Sequence, residues 1–243
     1  MPLDPLSASV FAFIEQVDSF YASFMGQAHP AAHLGGHLFY AGELTDQARA
    51  AITAANIAGA ATLSVSADQF IAKQAMRDGV VDFLVNSLDE ALRILKNEVR
   101  KHETVAVCVT AGPQAIEDQM RDRGVRPDLT LAAPALQPLP QAGIWLTLRP
   151  TQSPALWLPK LDALALEILP PSAEATRRWL ERATRYLGRQ TRNLRVLRLT
   201  QQQANDLIVA IRNLVATGTM TTPTQIDLGP WGNSIHQPLV PNP

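Results

Sequence analysis

Cysteine is almost missing from this sequence: the 243 residues hold one, Cys108. A single thiol excludes an intrachain disulfide and a multi-cysteine metal site, and a reducing, cytoplasmic setting is expected. Basic residues are missing from the start. The first is Arg49, and the early apolar run Val10–Ile14 is broken by Glu15 and Asp18. A secretory signal needs a basic start and a longer apolar stretch, so none is expected. No run approaches the roughly 18 uncharged apolar residues of a membrane span. Aromatic residues are sparse at 6% and charged residues modest at 18%, while apolar residues reach 47%. That balance excludes an intrinsically disordered chain. The length suits one large domain or two small ones, with a core that needs no staples.

The net charge of −1 hides an asymmetry. Residues 1–170 carry 12 basic and 18 acidic groups, whereas 171–243 carry 9 and 4. Eight arginines fall between Arg177 and Arg198, opposed there only by Glu181. Such a block suits phosphates or an acidic partner. No aromatic or glycine pattern of a nucleic-acid module accompanies it, so the better reading is a solvated face or pairing with acids of the same chain.

Periodicity gives the organisation. Val10, Phe13, Ile14, Val17, Phe20, Tyr21 and Phe24 fall at helical spacing between Ser7 and Met25, a sticky stripe that must dock on its own core or on a partner. From Gly36 the pattern alternates: strand His37–Ala41, alanine-rich helix Thr45–Ala58, strand Ala61–Ser66, and a helix opened by Ser66-Ala-Asp-Gln69 as a capping box. Strand Val80–Val85, a second capping box Ser87-Leu-Asp-Glu90 with its helix, strand Thr104–Thr110 and a helix after Gly112-Pro113 follow. Apolar strands separated by single helices build a parallel sheet with right-handed crossovers. Seven prolines between Arg126 and Pro159 predict an irregular crossing with one strand, Ile144–Leu148. Leu161–Leu169 is ambiguous between strand and helix. A helix after Pro170-Pro171-Ser172, a strand Leu194–Leu199 and a helix capped by Thr200 follow, and the five-proline tail after Gly218 shows no period.

The fold class expected is therefore α/β: a doubly wound, mostly parallel Rossmann-like sheet with an added N-terminal helix and a C-terminal α/β extension. The boundaries are 1–35 for helix and linker, 36–217 for the α/β domain, and 218–243 for a proline-rich tail. In such sheets ligands bind beyond the carboxyl ends of the strands. The first loop there should be glycine-rich if a dinucleotide binds; it holds Gly42, Glu43, Thr45 and Asp46, one glycine and two acids. Ser66 stands where an acid would meet a ribose, and Asp68 reads as a first-turn acid. His29, His33 and His37 are spaced by four, but Pro30 and Gly35-Gly36 break the helix that would align them for a metal. Cys108 sits mid-strand in an apolar run and reads as an inert core residue. No catalytic residue and no metal site are assigned from the sequence.

The order of residues resembles a known family. Gly36-His-Leu-Phe-Tyr-Ala-Gly42, Ala58-Gly-Ala-Ala-Thr-Leu-Ser-Val65, Val81-Asp-Phe-Leu-Val-Asn-Ser-Leu-Asp-Glu-Ala-Leu-Arg93 and Arg123-Gly-Val-Arg-Pro-Asp128 are similar to the central domain of urocanase (urocanate hydratase). The resemblance covers residues 36–128. It implies a Rossmann-like fold, a homodimer, and hydration of urocanate in histidine degradation with tightly bound NAD as electrophile. The departures fall on the functional parts. The family's glycine run after the first strand is Glu43-Leu-Thr-Asp-Gln47 here, its acid after the next strand is Ser66, and its motif after Arg-Pro-Asp is replaced by Leu-Thr-Leu-Ala-Ala-Pro. The expectation is a urocanase-like protein that has lost hydratase activity, holds no cofactor, and acts by binding. Its partner would be itself, a related enzyme or a small ligand at the strand ends, with neither membrane nor nucleic acid. The alternative is a shortened hydratase-like lyase using NAD.

Overall fold

The computed structural model describes residues 5–27, 33–133, 136, 143–188, 191–228 and 235–239. The chain divides into two compact units, one of residues 12–140 with 186–188 and one of the remainder.

The first unit is a doubly wound α/β layer. Helix α1 (Pro5–Gln27) runs into it and is followed by β1 (Leu38–Glu43), α2 (Asp46–Ala58), β2 (Ala61–Val65), α3 (Gln69–Arg77) and β3 (Phe83–Val85). Helix α4 (Leu88–Lys101), β4 (Ala106–Val109), α5 (Pro113–Asp122) and β5 (Leu129–Thr130) complete it. The five strands lie in the order β3-β4-β2-β1-β5, all parallel. β2 and β4 are buried along their whole length, as central parallel strands covered on both faces must be. One face packs Leu63, Val65, Val107 and Val109 against Leu88, Leu92 and Leu95 of α4 and Ile116 and Met120 of α5. On the other, ten residues of the alanine-rich α2 are buried, small side chains that let helix and sheet approach closely. The apolar stripe of α1 is used within the chain: Ile14, Val17, Phe20 and Phe24 are buried, and Phe24 meets Phe39 of β1 edge-on with ring centroids 5.0 Å apart.

The second unit contains β6 (Ile144–Pro150), α6 (Pro154–Ile168), α7 (Glu174–Tyr186), β7 (Arg195–Leu199), α8 (Gln201–Ala216), β8 (Thr224–Leu228) and β9 (Ile235–Leu239). Its four strands form an antiparallel sheet in the order β7-β6-β8-β9. The structure decides three points, two left open by the sequence and one expected otherwise. Leu161–Leu169 falls mostly in α6, which carries Pro159 inside it; Ala155 and Pro159 are both exposed, so water reaches the carbonyl that proline leaves without a donor. The tail is not without structure, because residues 224–228 and 235–239 pair as strands. Pro238 lies on the edge strand β9, where a missing N–H is tolerated. Finally, Asp68 rather than Ser66 caps α3, accepting from the N–H groups of Phe70 (2.7 Å) and Ile71 (3.3 Å).

The contact of α1 with the sheet gives a prediction. Phe24→Ala removes a fully buried ring and is expected to cost about 3–5 kcal/mol in urea unfolding, whereas Phe13→Ala, at a half-buried position of the same helix, costs clearly less. Equal losses at the two positions would contradict the docking described.

Candidate functional site

The place to look for chemistry is the carboxyl edge of the parallel sheet, where four strands lead into helix N-termini. Each such terminus exposes backbone N–H groups that need acceptors. Thr45 caps α2, its Oγ1 accepting from Ala48 N–H at 3.2 Å. Asp68 caps α3. Ser87 caps α4 through Glu90 N–H, and the Glu90 carboxylate reaches back to Asn86 N–H at 3.0 Å. Only α5 opens without a side-chain cap, behind Gly112 and with Pro113 in its first turn.

The turn after β1 is the one that matters for a dinucleotide, and its residues do not fit one. Leu44 is buried and its N–H donates to Val65 O (2.9 Å), while Thr45 N–H donates to Glu43 O (2.8 Å). The N–H groups of Leu44 and Thr45, and of Ala48 through the cap, are therefore occupied within the chain. Glu43, half-buried, and Asp46, exposed in the first turn of α2, add negative charge where the phosphates would lie. Gly42 has positive φ (71°) but open space where a Cβ would stand, so its role is the backbone turn and not a close approach to a ligand. At the end of β2, Ser66 is fully buried and its hydroxyl donates to Asp68 O at 3.3 Å, leaving no acid for a ribose. The chain brings Gly42, Glu43, Thr45 and Asp46 together in one turn, as their spacing requires, and places Ser66 under the next loop.

One constellation escaped the sequence reading. The β1–β2 register shifts between Tyr40 and Gly42, so Tyr40 lies opposite Leu63 and Glu43 opposite Val65. A regular strand would send residues three apart to opposite faces; the bulge puts Glu43 on the face that carries Tyr40. Tyr40 is buried and its hydroxyl donates to Glu117 of α5 at 3.1 Å. Burial, then the Glu117 carboxylate, then Glu43 raise the Tyr40 phenol above its ordinary range, so it stays protonated and remains a donor. Only the glycine at 42 hinted at the bulge; the tyrosine–glutamate contact spans 77 residues and has no local signature.

The remaining candidates have structural employment. Among the described residues no group of three or more His, Cys, Asp or Glu is placed to hold a metal. His33 Nδ1 accepts from Gly35 N–H, His37 is exposed ahead of β1, and His29 lies outside the described residues. Cys108 is buried with its Sγ toward Val109 O, and burial pushes its thiol up, away from thiolate chemistry. Within the arginine block, Arg177 donates to Leu166 O and Leu169 O at the end of α6, and Arg195 forks onto Asp162 at 2.8–3.0 Å. Arg198 stacks over Trp145 at 4.2 Å. Arg189 lies outside the described residues.

The two family-like motifs also prove to be scaffolding. Arg123 pairs with Asp89, joining the Arg-Gly-Val-Arg-Pro-Asp segment to the Leu-Asp-Glu-Ala-Leu segment. Asp128 clamps the start of β1, its carboxylate accepting from Leu38 N–H at 2.7 Å while its own N–H donates to Leu38 O. Asp128→Ala is expected to cost about 1–3 kcal/mol in urea unfolding, because it removes a charged acceptor from a strand N–H. Arg123→Ala, breaking a solvent-exposed pair, is expected to cost under about 1 kcal/mol. A reversed order would contradict this division of roles.

Compared with known families, residues 18–135 match the model of the urocanase Rossmann-like domain. The match starts within α1 and runs past β5, wider than the 36–128 stretch of evident resemblance, and leaves the second unit outside it from β6 onward. Among the described residues no helix is long and apolar enough to cross a membrane. Over residues 18–135, just under half of the chain, the protein is therefore similar to the Rossmann-like domain of the urocanase family.

Proposed function

We propose that this is a urocanase-related protein that does not hydrate urocanate and works by association, in the cytoplasm, with a second copy of itself as the first partner. The observation that carries the reading is the turn after β1. The Leu44 and Thr45 N–H groups are spent on Val65 O and Glu43 O, and Glu43 and Asp46 flank the turn where the family's chemistry needs NAD. Without that cofactor the fold keeps its sheet and helices and loses the electrophile. A connection to histidine degradation rests on the family relationship alone.

Association finds support in α3 and β3. Ala72 and Ala75 are the buried residues of α3, which leaves Phe70 pointing to solvent at 72% exposure. Phe83 on the edge strand β3 is 49% exposed, and Met76 and Ile71 flank the same short helix. Large apolar side chains gathered on an edge unit read as a contact surface. A two-fold contact uses such a surface twice, which favours a second copy as occupant.

Two experiments test this. The decline of the urocanate absorbance band, followed with and without added NAD, is expected to stay at the uncatalysed rate. Turnover on the order of 1 per second would instead establish the alternative, a shortened hydratase-like lyase. Sedimentation equilibrium is expected to show a concentration-dependent dimer whose association weakens at least tenfold in Phe70→Asp. A monomer at every concentration, or a dimer indifferent to that substitution, would remove the surface from consideration.

A further inference from the structure

We infer that the turn between α1 and β1 is a proton-sensitive latch in which two imidazoles hold one glycine in opposite roles. Gly35 is a single residue with one N–H and one C=O, and each is taken by a histidine ring. Its N–H donates to His33 Nδ1 at 2.9 Å, so that nitrogen carries no proton. Its carbonyl lies 3.0 Å from His102 Nδ1, so that nitrogen must carry one. The arrangement leaves no room for a side chain. A Cβ on Gly35 would stand 2.4 Å from the His33 ring, and one on Gly36, at φ +89°, would stand 2.7 Å from His102 Nδ1.

The two contacts respond differently to acid. His102 donates from Nδ1 both as the neutral tautomer and as the imidazolium, so its bond to Gly35 O survives protonation. His33 accepts only while neutral. A proton added at Nδ1 turns the acceptor into a donor facing the Gly35 N–H, and the bond is lost.

Two helix ends pack on the turn. The end of α2 contributes Gly59, on which a Cβ would stand 3.4 Å from Gly35 N, and the Ala58 carbonyl, which accepts from Leu34 N–H; neither ionises. The end of α4 contributes His102 in the left-handed C-cap conformation, with exposed Arg100, Lys101 and Glu103 around it in sequence and Lys101 paired to Glu98. His37, exposed, follows in the turn itself. Among the described residues, the ring seen across the turn is His102, which holds the carbonyl side of the same glycine. The Gly35 N–H, which needs an unprotonated Nδ1, favours neutral His33 in the closed turn. The sign follows: the latch is closed above the ordinary imidazole range of about 6–7 and opens as pH falls below it.

Long-range proton–nitrogen spectra of the full chain from about pH 8 to pH 5 test the inference, because they report imidazole tautomers directly. His33 is expected as the Nε2–H tautomer and His102 as the Nδ1–H tautomer at the upper end, with the Gly35 amide resonance moving as His33 takes up its proton. His33→Asn keeps an acceptor two residues before Gly35, in an Asx turn that does not titrate. In that variant the part of the Gly35 movement that tracked His33 is expected to vanish, together with the accompanying fall in melting temperature. An Nδ1–H tautomer at His33, or a Gly35 amide with the same pH course in both proteins, would overturn the latch.

Discussion

The carboxyl edge of a parallel sheet is a row of helix N-termini, and their unpaired N–H groups must find acceptors from the chain or from a ligand. In this protein the chain supplies them at three of the four. Thr45, Asp68 and Ser87 each turn a side chain back onto the helix they start, and the backbone of Leu44 and Thr45 is satisfied by Val65 and Glu43. A turn whose donors are already employed has little to offer a pyrophosphate, and carboxylates at Glu43 and Asp46 add repulsion to occupancy. The same self-sufficiency makes the domain a sound scaffold without a bound group.

In the segments that resemble the urocanase domain, side chains make contacts that define the layer. The Asp128 carboxylate registers the start of β1, Asp82 accepts from Ala106 N–H beside β4, and Glu90 ties the α4 entry to Asn86. These residues sit in the segments by which the resemblance is seen, and they hold strands in place. Family likeness read from such positions reports a fold. Asp128, Asp82 and Glu90 are each engaged with a backbone N–H, which is a structural task.

Much of the first unit was legible in the sequence because its signals are local. Apolar strands, the Thr45–Gly59 helix with its cap and stop, and the Ser87 cap all follow from neighbours within a few residues. The failures are of three physical kinds. Competition between acceptors decided α3, where the Asp68 carboxylate outbid the Ser66 hydroxyl for the first-turn N–H groups. Long-range pairing decided the tail: β8 forms against β6, 80 residues earlier in the chain by the pairing of Thr147 with Asp227, and a five-residue strand bounded by prolines announces no such partner. Local geometry decided the strand end, since a one-residue bulge after Tyr40 moves Glu43 to the other face and no periodicity encodes it. The sticky stripe of α1 was visible, but whether it met its own sheet or a partner required seeing Phe24 against Phe39.

The central claim is that the turn after β1 is closed to a dinucleotide. The most direct measurement is an NAD titration of the isotopically labelled protein, following the amide resonances of Leu44, Thr45, Asp46 and Ala48 together with those of Ser66 and Asp68. These resonances are expected to stay where they are up to millimolar NAD, because the Leu44, Thr45, Ala48 and Ser66 amides already have partners and Glu43 and Asp46 oppose a phosphate. Saturable shifts concentrated on that set would show that the turn opens to admit the cofactor, and would contradict the claim.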